Sequence, residues 1–117
     1  KNDIFLQFDN LQISRCFNNL IKNAIEAVEK IPNPVIEITI YSNEINIIIE
    51  IKDNGIGIDG KMISKIFEPY FTTKVKGTGL GLSIVKRIIE DHGGKIRIEK
   101  NKNMAGTTSI IIFEINA

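Results

Sequence analysis

The stretch IEITIYSNEINIIIEIKDNGIG, residues 36–57, decides how this chain is built. Ile36, Ile38 and Ile40 alternate with Glu37, Thr39 and Tyr41, the period of a half-buried strand. Ser42 to Glu44 supplies the turn, and Ile45 to Lys52 reads as the returning strand of a hairpin. The second strand then runs into Asp53-Asn54-Gly55-Ile56-Gly57. Asp-Asn-Gly by itself is a common turn signal. Two glycines directly after a strand and far from the next one also let the backbone pass close to a flat ligand. The end of the hairpin is therefore both a boundary and a candidate site.

Working outward, residues 3–8 could form a short edge strand, and Asp9 or Asn10 is a plausible N-cap for a helix from about 11 to 30. Its apolar positions Ile13, Phe17, Leu20, Ala24, Ala27, Val28 and Ile31 step by three and four, marking one buried face. Pro32 and Pro34 stop it. Downstream, Asp59 to Phe67 predicts a short helix, followed by an irregular stretch to about Thr78. Leu80 to His92 repeats its apolar residues as a helix does, and Gly93-Gly94 ends it. Strands at Lys95–Lys100 and Thr107–Ile115, around a turn at 101–106, close the chain. This order predicts an α/β fold: a two-layer α/β sandwich, with helices packed on one face of a mixed sheet.

The 117 residues are expected to form one domain, 1–117, long enough to bury a core. A net charge of +1 argues against a general binder of nucleic acid or acidic membrane, which needs a basic excess. Cys16 is the sole cysteine, so no internal disulfide can form and nothing suggests an oxidising compartment. Its helical spacing with Ile13, Phe17 and Leu20 places it in the core. No stretch approaches the ~20 apolar residues of a membrane span, and no signal peptide opens the chain.

Asn19 and Asn23, four apart on a helix, project from one face about 6 Å apart along the axis, with Glu26 on nearly the same side. Two neutral amide oxygens there could help bind a hard cation that shares phosphate oxygens, the habit of Mg²⁺; a solvated polar face would look the same. A buried carboxylate at Asp53 could accept a proton donor from adenine's exocyclic amine, a charge-assisted bond of ~1.5–3 kcal/mol. It would reject guanine, whose carbonyl would meet it acceptor to acceptor. Gly77-Thr78-Gly79-Leu80-Gly81-Leu82 is not a P-loop, since no Lys-Ser/Thr follows, nor a dinucleotide fingerprint, since no strand leads into it. It opens a helix, so freed N–H groups and the helix dipole favour phosphate there; a hinge is the other reading, and both can hold. Phe67 and Phe71, flanking Glu68-Pro69-Tyr70, anchor this segment's base in the core, and Thr72-Thr73-Lys74 and Lys76 put two cations within it.

In this order and at these spacings, the four segments resemble the N, G1, F and G2 boxes of the sensor histidine kinase ATP-binding domain. That is a Bergerat-type fold shared with gyrase-type, chaperone and mismatch-repair ATPases. The resemblance implies that Asn23 holds Mg²⁺, that Asn19 supports the same site, and that Asp53 reads adenine. It places Gly55, Gly57 and Ile58 against the nucleotide and makes 57–81 a lid over the triphosphate. Phe67, Phe71, Thr73, Lys74, Gly77, Thr78, Gly79, Leu80, Gly81 and Leu82 are then nucleotide-binding candidates. Gly106-Thr107 is similar to the family's final glycine motif, which brings Thr107 near adenine. Asn19, Asn23 and Lys74 are the catalytic candidates, with Lys74 preferred over Lys76 for the γ-phosphate. The family often has a basic residue where Glu26 stands, so Glu26 is assigned no phosphate contact. Phe-Thr-Thr-Lys before the glycine run looks most like kinases of the nitrogen-regulation type.

The implied enzyme is an ATP:protein-histidine phosphotransferase. It would bind ATP with Mg²⁺ and position the γ-phosphate for a histidine on a helical dimerisation domain of the same parent, then on to a response-regulator aspartate. Relatives that hydrolyse ATP or phosphorylate serine typically carry a general-base glutamate where this chain has Asn19, which cannot take a proton. A neutral imidazole is already a nucleophile, so asparagine favours a histidine acceptor. The alternative from another class is an ATP-binding regulatory or docking module without transfer. His92 is followed by glycine at a helix terminus and is read as a cap residue rather than the phosphoacceptor. The resemblance further implies a cytoplasmic domain, monomeric when isolated, with a parent that could be anchored in the inner membrane.

Overall fold

Asp9 starts the first helix as an N-cap should: its Oδ1 accepts the N–H of Gln12 at 3.1 Å. In the computed structural model, which describes residues 9–69 and 81–115, helix α1 runs Asn10–Ala27 and buries Ile13, Cys16, Leu20 and Ala24. It stops about three residues short of the expected end. The Ala27 carbonyl is taken by Ile56 N–H at 3.2 Å, and Ile31 N–H turns back to Val28 O at 3.0 Å. A bond from another segment thus ends the helix before either proline is reached.

Strands β1 (Ile36–Ser42) and β2 (Asn46–Asp53) form the hairpin, paired from Ile36↔Asp53 to Ser42↔Ile47. Asn43 makes the turn, its Oδ1 accepting Ile45 N–H at 2.8 Å and Asn46 N–H at 2.7 Å. Helix α2 covers only Gly60–Ile63, capped by Asp59. The longer helix expected to Phe67 gives way to tight turns, with Lys65 N–H on Met62 O and Glu68 N–H on Lys65 O. Helix α3 (Gly81–Asp91) leads through Gly93 into β3 (Gly94–Lys100), and β4 (Thr107–Glu114) ends the described chain. Residues 3–8, the candidate edge strand, lie outside the described residues.

The sheet order is β1-β2-β4-β3, with helices on one face, as expected of a two-layer α/β sandwich. Every pairing among the described strands is antiparallel, where a mixed sheet was expected. β2 and β3 do run the same way, as strands joined through helices commonly do, but β4 inserts between them and pairs with both. Cross-strand partners share a face, so Ile49, Ile51, Ile96, Ile111 and Phe113 point together toward α1 and α3. There they meet Val85, Ile88 and Ile89 of α3, and Cys16 lies 1% exposed at the helix seam, its Sγ 3.8 Å from Val85 O.

β1 departs from the half-buried strand its alternation predicts. Ile38 and Ile40 share the helix-side face with Ile51 and Ile49 yet are 50% and 67% exposed. β1 is one edge strand of the described sheet, and α1 and α3 pack over β2, β3 and β4. Alternation reports which way a side chain points; coverage depends on whether a helix reaches that far. Among the described residues no helix is long and apolar enough to cross a membrane.

Ile111 has no exposed surface and sits between β2 and β3. Ile111→Ala is expected to cost about 2–5 kcal/mol of unfolding free energy in a urea titration. A cost under about 1 kcal/mol would mean that the sheet centre is not the close-packed heart of the domain.

Candidate functional site

β2 carries Ile49, Ile51 and Asp53 on its helix-facing side, so strand periodicity sets a carboxylate where the next isoleucine would stand. Asp53 is 7% exposed. It accepts Gly55 N–H at 2.9 Å and the backbone N–H of Thr107. Burial pushes its carboxyl above the ordinary aspartate value, and the Gly55 and Thr107 hydrogen bonds oppose that rise by favouring the charged form.

The backbone around Asp53 is equally specific. Pairing between β2 and β4 runs from Asn46↔Glu114 to Lys52↔Thr108 and stops one residue before Asp53. The Asp53 carbonyl is instead satisfied by Asn101 Nδ2 at 2.7 Å. Gly106 packs over that carbonyl with φ of +107; a Cβ there would lie 2.0 Å from Asp53 O and 2.8 Å from Asn54 Cα. Only glycine fits both the backbone angle and the approach. Gly55 abuts the end of α1, where a Cβ would come within 2.5 Å of Ala27 O. Asn54 pins the preceding loop, with Oδ1 on Val35 N–H and Nδ2 on Asn33 O, both at 2.8 Å. Gly57 faces Gly106, so its own Cβ would stand 3.8 Å from Gly106 N.

The second cluster joins α1 to α3. A Cβ on Gly81, the first residue of α3, would lie 4.0 Å from Asn19 Oδ1. Asn19 therefore turns its amide toward the start of that helix. Asn23, half-buried, sits one turn further toward Ala27 and the Gly55 loop. A cleft of about 590 Å³ opens beside Asn19, lined also by Leu11, Ser14, Arg15, Asn18, Gly81 and Ile84. A smaller hollow of about 80 Å³ lies at Asp53, lined by Val35, Glu37, Lys52 and Met104.

Of the residues singled out in the sequence, the structure gathers Asp53, Gly55, Gly57 and Thr107 at one end of β2, and Asn19 with Gly81 at the start of α3. Ile58 is half-buried near the first group in sequence. Phe67 and Leu82 pack against the core, with Lys86 Nζ 5.4 Å from the Phe67 ring centroid. Phe71, Thr73, Lys74, Gly77, Thr78, Gly79 and Leu80 lie outside the described residues. His92 is engaged inside the domain: Nε2 accepts Asp9 N–H at 3.1 Å, so the proton sits on Nδ1, 2.7 Å from Ile88 O. It ties the end of α3 to the start of α1, in keeping with a helix-terminus role.

Sequence reasoning missed Asn101, Thr108, Arg15 and Asn18. Asn101 carried only a turn signal, and nothing local brings it onto a carbonyl 48 positions away. Arg15 could have been found by extending the Asn19–Asn23 face one turn back along the helix, whereas Asn18 lies off that face and carried no signal.

Comparison with known proteins places this architecture. Residues 8–117 match the family of histidine kinase-, DNA gyrase B-, and HSP90-like ATPases. Sporulation kinase A of Bacillus subtilis is 40% identical over 113 residues, covering 97% of this chain and 18% of that protein. Nitrogen regulation protein NtrY of Azorhizobium caulinodans is 41% identical over 97 residues, covering 79% of this chain and 13% of its own length, in line with the nitrogen-regulation resemblance. This chain thus spans less than a quarter of either relative. The nucleotide-free catalytic domain of histidine kinase ThkA superposes with a TM-score of 0.83 at 39% identity, covering 98% of this chain and 75% of that one. Fold and sequence agree, and the chain belongs to the histidine kinase-, DNA gyrase B- and HSP90-like ATPase family, on the histidine kinase side of it.

Proposed function

We propose that this chain is the ATP-binding catalytic domain of a sensor histidine kinase, one part of a longer protein whose helical phosphoacceptor domain and sensor lie elsewhere. The observation that carries the reading is Asp53: a buried carboxylate at a strand end, oriented by two backbone N–H groups and framed by Gly55, Gly57 and Gly106. A carboxylate so held can take a hydrogen bond from adenine's exocyclic amine while the glycines let the flat base lie against the backbone. Thr107 would stand beside the base and Ile58 at its rim.

The phosphates would extend along α1 toward the N-terminus of α3, past Asn23 and Asn19. Among the described residues no group of three or more His, Cys, Asp or Glu could hold a metal ion. Neutral amide oxygens on α1 suit Mg²⁺ carried in with the triphosphate, since Mg²⁺ keeps its waters and needs only one or two protein oxygens beside the phosphates. Asn23 would provide the amide oxygen, with Asn19 supporting it. Bound Mg²⁺ would neutralise charge on the phosphates. Gly77 to Leu82, Thr73 and Lys74 would close over the γ-phosphate, and Phe67 and Phe71 would anchor that segment.

In the reaction, the lone pair of a neutral imidazole nitrogen on the acceptor domain attacks the γ-phosphorus. The bond to the β–γ bridging oxygen breaks and ADP leaves. Asn19 fits this chemistry because no water or hydroxyl has to be deprotonated at that position. The phosphohistidine would then pass its phosphoryl group to a response-regulator aspartate. The expected setting is cytoplasmic.

The adenine assignment is tested by calorimetric titration with ADP, a non-hydrolysable ATP analogue and GTP. Asp53→Asn is expected to weaken adenine-nucleotide binding at least about tenfold, the worth of one charge-assisted hydrogen bond. Retained affinity and retained preference for ATP over GTP would rule Asp53 out as the base reader. Asn23→Ala is expected to abolish Mg²⁺-dependent transfer to a histidine-bearing helical domain added in trans while sparing adenosine binding; equal loss of both would point to a damaged fold. The third expectation concerns pH. A raised folded-state value means that Asp53 contributes stability below its unfolded value, and that this is lost as pH rises through the folded value. The stability of the wild-type domain relative to Asp53→Asn should therefore increase on acidification, read as the difference in Tm at neutral and acidic pH. A difference independent of pH would mean that the carboxyl is not held in a desolvated site.

A further inference from the structure

We propose that Asn101 is a positioning residue for base recognition: by bridging the Asp53 and Ala105 carbonyls, its side-chain amide holds the Thr107 N–H on the Asp53 carboxylate. The inference rests on the reading of Asp53 as the group that meets adenine.

Asn101 begins the turn between β3 and β4, and its backbone N–H closes that turn on Gly106 O at 3.1 Å. Its Nδ2 donates to Asp53 O at 2.7 Å and to Ala105 O at 3.0 Å. Its Oδ1 accepts the hydroxyl proton of Thr108 at 2.5 Å. The orientation is fixed by chemistry: both carbonyls can only accept, so nitrogen must face them, and the Thr108 hydroxyl donates to the oxygen left over. Two donors on one atom and an acceptor beside it form a set that serine, threonine, aspartate and lysine all lack.

The bridge stands where the β2–β4 ladder ends. Beyond Lys52↔Thr108 the Asp53 carbonyl has Asn101 as its donor, while the Thr107 N–H is given to the Asp53 side chain. One hydrogen bond thus substitutes for the missing ladder contact, and the other becomes available to orient the carboxylate. Gly106 fills the space between with no room for a Cβ. Removing the amide leaves the Asp53 carbonyl without its donor and loosens the 101–106 turn, so the Thr107 N–H moves off the carboxylate. The Asp53 side chain then loses direction toward the base and one of the two hydrogen bonds that favour its charged form.

The test is calorimetric titration of the wild-type domain, Asn101→Ala and Thr108→Val with ATP and with GTP, repeated across the acidic range, alongside thermal melts. Asn101→Ala is expected to weaken ATP binding about tenfold, the worth of one hydrogen bond to a base that a misdirected carboxylate no longer accepts. It should also shrink the ATP-over-GTP preference and move the acid limb of binding to higher pH. Thr108→Val, which leaves both donors but frees the amide to turn, should move the same readouts in the same direction by less, and decides the matter if Asn101→Ala does not fold. A lowered Tm with the purine preference and acid limb unchanged would overturn the proposal, leaving Asn101 a turn residue only. Wild-type binding with no purine preference, unaffected by Asp53→Asn, would instead overturn the adenine reading and this inference with it.

Discussion

The structure depends on a ladder that ends one residue early. β2 and β4 pair through the middle of the sheet and part at Asp53, where Gly106 presses on the strand's last carbonyl. Had the pairing continued, the Thr107 N–H would have been spent on the backbone, and Asp53 would be another residue of a regular strand. Because it stops, a buried carboxylate gains two backbone donors, and its carbonyl is satisfied from the side by Asn101. Burying a carboxylate costs free energy, visible here in its raised proton affinity, and the two N–H groups keep that cost bearable. An apolar residue would suit stability better at this position. A charge held there is readiness for a ligand that donates a hydrogen bond.

The rest of the domain fixes where that carboxylate can be met. The Ala27 carbonyl is shared between the end of α1 and the Gly55–Ile56 backbone, which locks the asparagine-bearing helix to the aspartate loop. At its other end α1 meets α3 through Cys16 and Val85 in the core and through Asp9 and His92 at the rim. One helix therefore sets the distance between the Asp53 loop and the start of α3, the two ends proposed to meet base and phosphates. This suits phosphoryl transfer, in which a protein acts mainly through position and charge. The open cleft beside Asn19, with Arg15 and Asn18 on its wall, lies at the α3 end of that helix.

Much of this was legible in the chain. Period-two isoleucines gave β1 and the turn after it gave β2, three-four spacing gave α1 and α3, Asp9 capped, and Gly93 stopped. Asp53 with Gly55 and Gly57, and Asn19 with Asn23, could be picked out because residue type and spacing carry their chemistry directly. The misses share one cause. Ile38 and Ile40 alternate as a buried face does, but among the described residues nothing covers them beyond Ile36, which alone of β1 packs on the core. α1 ends early because a backbone bond arrives from residue 56, and the sheet is antiparallel because the last strand inserts between two that run together.

The sequence by itself determined most of the elements, the apolar face of each long helix, and which polar residues and glycines stand out as site candidates, since those follow from spacing and side-chain chemistry within a few residues. Only the tertiary structure decided that Asn101 meets Asp53, that Gly106 admits no side chain, and that Ile38 and Ile40 of β1 lie uncovered among the described residues. Each of these is a contact between segments far apart in the chain, set by how the layers close, and local sequence holds no record of it.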